Sequence, residues 1–263
     1  MSDEHLTHGW EQDLDAGDSL VRRFVLANAD RNAFVAAYAG GRAERWQDLA
    51  VADPASPVLF DNAAVLLAPP PYIDLADTLR RLLAFYPPER HFVFLSVWPT
   101  PDLSTAGLRL MGHPPLMLRP PGGSPPPLPD GLRIVPVTDR RGLADFVRTL
   151  VEAYPMPEAE GTVFGDARVL DGPIKLFVGY AGDRPVATSG SRLGHGIVDV
   201  EWVSTLPSHR GRGIGAAVTW AATFAEPYQP AMLIASDEGQ PVYEAMGYLR
   251  LMRLTMWHRP PAT

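Results

Sequence analysis

The chain has 263 residues, a net charge of -7, 46% hydrophobic and 20% charged residues, a composition that builds a globular core and excludes a disordered chain. The acidic balance excludes a nucleic-acid partner held by charge alone, and no apolar run is long enough to span a bilayer, so no membrane partner is expected. Cys is absent, which removes disulfides, thiolate metal sites and a cysteine nucleophile together.

In chain order, residues 1–6 are acidic where a secretory leader would be basic and then apolar, so a cytoplasmic location is expected. His5 and His8 are the only close histidine pair and lie in this acidic segment, so no metal site is expected. Residues 20–38 are helix-prone, but Gly40-Gly41 and the proline-rich stretch 53–57 break the pattern, and residues 1–62 cannot otherwise be placed. Residues 63–68 read as a strand. Leu75, Leu79, Leu82, Leu83 and Tyr86 make one helix face that ends at Pro87, and residues 91–97 read as a second strand. Residues 119–130 are rich in Pro and Gly and predict a semi-rigid linker between a first half, 1–118, and a second, 131–263.

After the linker, residues 132–137 predict a strand, and Thr138 or Asp139 can cap a helix bearing Leu143, Phe146, Val147, Leu150, Val151 and Tyr154 on one face. Residues 154–172 predict a loop with one short helix. Its Glu158, Glu160, Asp166 and Asp171 could draw in a cationic amine. Three antiparallel strands follow at 175–181, 185–193 and 197–205, with glycine turns between them. A glycine-rich turn then opens a helix that buries Ile214, Ala217, Val218, Ala221 and Phe224 and ends by Pro227. Residues 231–235 predict a strand, 239–246 a helix closed by Gly247, and 248–257 one final strand. The whole reads as an α/β chain with a mixed sheet in its second half.

The turn Arg210-Gly211-Arg212-Gly213-Ile214-Gly215 between strand and helix is suited to an anion, because glycine lets backbone N–H groups approach and the helix start is positive. Arg210 and Arg212 add mobile positive charge there. A nucleotide-triphosphatase loop would need Gly-Lys-Ser/Thr where Ala216-Ala217 stands. A dinucleotide fingerprint would need a third glycine where Val218 stands. The remaining pattern, Arg-x-x-Gly-x-Gly at Arg210, Gly213 and Gly215 behind a strand and Pro207, closely resembles the pyrophosphate motif of the GCN5-related N-acetyltransferase (GNAT) family. The order of elements after residue 131 is similar to that fold.

The resemblance implies acetyl-coenzyme A (acetyl-CoA) as acyl donor. It places the pyrophosphate on the N–H groups of Gly211, Arg212, Gly213, Ile214, Gly215 and Ala216, the pantetheine arm along the backbone of Val203 and Thr205, and Ser236 where relatives often have asparagine. It implies Tyr243 as proton donor to the coenzyme sulfur, in Tyr243-Glu-Ala-Met-Gly-Tyr248. Asp199 and Glu201 share one strand face by alternation, and both positions serve as general base in the family, with Glu201 preferred here. The alternative for either is an exposed strand carboxylate or a partner for Arg192. The expected activity is direct acetyl transfer to a primary amine of a small molecule or protein. The competing expectation is a non-catalytic acyl-CoA sensor or regulatory module.

The first half reads as a worn copy of the second. Aligning Met111-Gly112 with Met246-Gly247 supports duplication and sets Leu108 in the place of Tyr243, while Pro69-Pro70-Pro71 stands where the glycine turn should be. Proline offers no N–H to a phosphate. A copy without that turn is expected to be dead and to serve as a structural or dimerising appendage, which leaves room for a homodimer.

Overall fold

Local sequence determines most helix ends. In the computed structural model, which describes residues 19–154 and 164–260, Ser19 caps α1 (Leu20–Tyr38) and Asp74 caps α2 (Leu75–Phe85) by accepting the Asp77 N–H. Asp139, not Thr138, caps α3 (Arg140–Ala153), accepting the Gly142 N–H at 2.7 Å. Each extended cap residue satisfies an amide that the first helical turn leaves without a partner.

The first half continues after α1 with β1 (Arg42–Arg45), β2 (Leu49–Asp53), β3 (Ala63–Leu66), α2, β4 (Phe92–Ser96), β5 (Arg109–Gly112) and β6 (Pro115–Arg119). The second half runs β7 (Leu132–Pro136), α3, β8 (Ile174–Ala181), β9 (Arg184–Gly194), β10 (Ile197–Thr205), α4 (Ile214–Thr223), β11 (Ala231–Ile234), α5 (Gln240–Ala245), β12 (Leu249–Arg253) and β13 (Thr255–Arg259). The helix face expected to reach Phe224 is corrected: α4 ends at Thr223, and Ala221 and Phe224 are only half-buried, whereas Thr219, Trp220 and Thr223 are buried. The Thr219 and Thr223 hydroxyls return bonds to Gly215 and Thr219 carbonyls at 2.8 Å each, which lets polar side chains sit inside.

Two mixed sheets form, ordered β1-β2-β3-β4-β13-β5 and β12-β6-β11-β10-β9-β8-β7. Each copy lends one strand to the other. β13 lies between β4 and β5 in the first sheet, and β6 lies between β11 and β12 in the second. The single final strand expected over residues 248–257 is therefore two strands in different sheets, parted at the fully buried Leu254, whose N–H donates to the Pro114 carbonyl at 2.9 Å. Exchange also moves the expected repeat. β6 starts at Pro115 and β13 at Thr255, so Met111-Gly112 lies in β5 while Met246 closes α5. The proposed equivalence of Leu108 with Tyr243 falls with that alignment.

Within each copy one parallel pair is bridged by a helix: β3 and β4 by α2, β10 and β11 by α4. Apolar clusters cross between the copies: one joins Phe24 and Val25 of α1 and Val65 of β3 to Leu116 of β6, Ile197 of β10 and Met232 of β11, and another joins Val35 of α1 to Leu143, Phe146 and Ile174. Because α1 packs against both sheets, it buries polar Asn28 and Arg31 as well as apolar residues. The boundary residues 115–118 belong to the second sheet, and 255–259 to the first.

Candidate active site

β10 pairs with β11 only at Val198 and Asp199, and from there the two strands part. The cause is local. Pairing with β9 slips between Glu201 and Ser204, and Trp202 takes a positive φ of 52°. Such a bulge bends a strand and raises its twist. Three features hold it: the Thr188 hydroxyl donates to the Trp202 carbonyl at 2.8 Å, the same hydroxyl meets Ser204 Oγ at 2.7 Å, and the indole lies against Gly190, where a Cβ would come within 2.6 Å of the ring. Phe164 packs edge-on to Trp202, with centroids 4.9 Å apart. The wedge between β10 and β11 exposes one edge of residues 201–205.

At the mouth of the wedge stands the glycine turn. Gly211 and Gly213 have φ of 73° and 75°, a conformation that side chains rarely adopt, and Gly213 is the N-cap of α4. The amides of Gly211, Arg212, Gly213, Ile214, Gly215 and Ala216 donate to no acceptor among the described residues, the first helical bond being Ala217 to Gly213. A Cβ on Gly215 would lie 3.2 Å from Thr205 Oγ1. Arg210 departs from the expected mobile charge. Its Nε donates to the Thr205 carbonyl at 3.1 Å and a terminal nitrogen donates to the Ala153 carbonyl at 3.2 Å, so it ties the turn to β10 and α3. Arg212 is exposed. The corresponding loop of the first half holds Pro69, Pro70 and Pro71, and the amides of Tyr72 and Ile73 bond back to Pro69 and Pro70. No wedge opens there, since β3 pairs with β4 at Ala63, Ala64 and Val65 of its four residues.

Asp199 and Glu201 share a face, as alternation requires, and meet the same guanidinium. Arg31 of α1 places Nε 2.8 Å from Asp199 Oδ2 and a terminal nitrogen 2.9 Å from Glu201 Oε1. Arg192, opposite Asp199 in the β9 register, adds attraction without taking Arg31's place. Asp199 has no exposed surface, whereas the Glu201 side chain keeps 24% exposure and lines a cleft. Burial, only partly offset by Arg31 and reinforced by repulsion from Asp199, pushes the Glu201 carboxyl up to about 7. Burial also raises Asp199, against the pull of Arg31 and Arg192. Sequence reasoning missed Arg31, because a lone arginine in a helix ordinarily faces water.

Tyr243 on α5 is half-buried, its ring 5.9 Å from that of Tyr248. Burial, helped by Tyr154, Tyr248 and Glu201, lifts its phenol well above the usual range. Ser236, at the end of β11, lines the cleft and accepts the Gly239 N–H at 3.0 Å. Asp166 pairs with Arg168 at 2.7 Å, and Glu158, Glu160, His5 and His8 lie outside the described residues. Among the described residues no three His, Asp or Glu side chains gather as a metal-ligand set, and no helix is long and apolar enough to cross a membrane.

The cleft, about 530 Å³, lies between the halves: Asn28, Arg31, Phe60 and Asp61 line it from the first, Glu201 and Trp202 from the second. The first half thus supplies part of the lining of this cleft.

No protein-family model and no curated protein matches the chain. Solved structures do. The chain is similar to a GCN5-related N-acetyltransferase from Kribbella flavida, with 22% identity, a TM-score of 0.66, and coverage of 91% of this chain and 96% of that one. It is similar to a protein of the GNAT family from Novosphingobium aromaticivorans at 19% identity and a TM-score of 0.58, covering 94% and 100%. A tandem GNAT protein from the clavulanic acid biosynthesis pathway matches at 16% identity and a TM-score of 0.50, covering 82% and 79%. These likenesses span both halves, and with the exchanged strands and repeated parallel pairs they show that the chain has the GNAT fold in tandem arrangement.

Proposed function

We propose that the protein is an acetyl-CoA-dependent N-acetyltransferase acting by direct transfer to a primary amine. The observation that carries this reading is the run of six consecutive amides, Gly211 to Ala216, without an acceptor beside a strand edge opened by a bulge. A pyrophosphate satisfies such a turn, and an amide-rich pantetheine arm along Val203 and Thr205 extends the edge as an added strand would. The equivalent loop in the first half has Pro69, Pro70 and Pro71, which carry no N–H, where this run stands, so one donor site per chain is expected.

In the chemistry, Glu201 takes a proton from the acceptor ammonium, directly or through one water. The freed nitrogen forms a bond to the thioester carbonyl carbon. As the carbon–sulfur bond breaks, Tyr243 would give its proton to the departing thiolate and recover one from the nitrogen, which sheds its extra proton as the amide forms. A phenol lifted by burial arrives protonated, as that role needs. Asp199, without exposed surface, serves to hold Arg31 and not to exchange protons with substrate.

The test is thermal stability with and without acetyl-CoA, followed by thiol release in the presence of an amine panel. A ligand at 100 times its dissociation constant stabilises by about 2.7 kcal/mol. No stabilisation in wild type would sink the donor assignment. Stabilisation without thiol release from any amine would favour an acyl-CoA sensor.

A further inference from the structure

The cleft between the halves contains information about the acceptor that the donor turn does not. Among the described residues, three of those lining it are carboxylates, Asp61, Glu201 and Asp237, and one is a guanidinium, Arg31, already committed to Asp199 and Glu201. Asp237 is paired outward with Arg253 at 2.8 Å, and Asp61 accepts the Ser56 hydroxyl at 2.6 Å. His113 is fixed by a contact of 3.1 Å between its Nδ1 and the Leu254 carbonyl, which can only accept. An acceptor bearing a carboxylate or phosphate would thus meet carboxylates and a neutralised arginine. An ammonium would meet favourable charge and lie beside the base that deprotonates it.

Another part of the lining is apolar and comes largely from the first half: Val58, Phe60, Val65 and Leu95, with Met111 of β5 and Met256 of the exchanged β13. Phe60 is 48% exposed, large and unpartnered by any ring among the described residues. A volume of about 530 Å³ suits a small molecule enclosed on several sides. Along this wall a second ammonium would find one carboxylate, Asp61, which already accepts the Ser56 hydroxyl, and otherwise apolar side chains, since Asp237 is paired with Arg253.

We propose that the acceptor is a small primary monoamine with an uncharged apolar body, its ammonium at Glu201 and its body against the wall that Phe60, Val65 and Leu95 supply. The first half is then the specificity element of the second half's site. This deepens the acetyltransferase reading and rests on it for the transfer step, but amine binding can be read without donor.

The experiment measures binding by calorimetry, with coenzyme A absent and then saturating, for four probes: cyclohexylmethylamine, cyclohexylacetate, spermidine and an uncharged-terminus lysine peptide. Expected is binding of the monoamine at least tenfold tighter than of each of the other three, weakened about tenfold in Phe60→Ala, with acetyl-CoA stabilisation of that variant unchanged. Phe60 is half-exposed, so the variant should fold, and its melting curve checks this. A second variant, Phe60→Leu, should recover most of the affinity, which a general fold defect would not allow. Tighter binding of the carboxylate, spermidine or the peptide, or no binding of the monoamine at all, would overturn the proposal. Failure of acetyl-CoA to stabilise the wild type, with the amine still bound, would overturn the enzyme reading and leave the acceptor class standing.

Discussion

At the residue scale, one arginine divides two carboxylates into different settings. Arg31 touches both, yet only Glu201 keeps exposed surface and faces the cleft. With its carboxyl pushed up to about 7, Glu201 as the proposed base would act only when ionised, so kcat/KM should rise with pH through a limb near that value and flatten above it. Arg31 opposes the rise, so Arg31→Met should move the limb to higher pH. Asp199 reinforces the rise by repulsion, so Asp199→Asn should move it to lower pH. The groups facing Glu201 also include Tyr154 and Tyr243, which stay neutral over this range because burial raises both. A pH–rate profile that stays in place in both variants would remove Glu201 from the base role. Glu201→Gln should lower kcat by roughly 10²- to 10⁴-fold, the usual contribution of a positioned base. Tyr243→Phe should lower kcat while leaving stabilisation by acetyl-CoA intact, and equal activity at saturating substrates would remove the acid assignment. That the two carboxylates share a face was legible in the sequence from strand alternation, and their candidacy as base came from the resemblance. What divided them was not, because Arg31 lies in the other half of the chain and nothing local marks it as buried.

At the scale of elements, the bulge in β10 matters most, since it parts β10 from β11 and makes the wedge. Trp202 holds a strained positive φ, which costs on the order of 1–3 kcal/mol and persists only when its surroundings over-determine it. Gly190 is one of those surroundings. In Gly190→Ala the new Cβ would fall 2.6 Å from the indole and 2.9 Å from Leu176 Cδ2, and overpacking of this kind costs about 1–3 kcal/mol. The variant should melt earlier and lose activity together, as the displaced indole moves Glu201. An unchanged melting temperature with full activity would show that the bulge does not depend on that contact. Gly213→Pro should abolish stabilisation by acetyl-CoA, because proline fixes φ near -65° where the turn needs a φ of 75°. Elements of the second half up to α5 were read from sequence nearly to the residue, because periodicity, caps and glycine turns agree there, whereas the last strand divides into two. β1 and β2 were not. Arg42–Arg45 is polar and exposed throughout, so it shows no alternation, and Leu49–Asp53 is buried throughout between breakers. The bulge was hidden for another reason: a slip between strands depends on the partner strand, and nothing in residues 201–204 names β9.

At the scale of the molecule, strand exchange is the feature that local patterns could least disclose, because a strand's own sequence shows that it will pair but not with which copy. Its consequence is energetic. With β13 between β4 and β5 and β6 between β11 and β12, neither sheet is complete without a strand from the other copy. Arg259 donates from β13 to the carbonyls of Pro87 and Arg90, and Arg119 donates from β6 to the Met246 carbonyl at 3.1 Å, so each exchanged strand is also anchored at its end. Each guanidinium covers an aromatic of the half it joins, Arg259 over Phe92 of β4 at 4.7 Å and Arg119 over Trp220 of α4 at the same distance. Two domains joined only by the segment 120–130 would unfold separately, since few contacts would cross. Here the core cluster and both exchanged strands cross, so the halves should unfold in one cooperative transition, with calorimetric and van't Hoff enthalpies equal. Leu254→Ala should test the joint where the last strands part. Removing a fully buried leucine costs about 2–5 kcal/mol, and because β12 and β13 meet there the loss should lower the single melting temperature without splitting the transition. Two resolved transitions in wild type, or a variant in which only one half melts early, would show that the exchanged strands do not bind the halves into one folding unit.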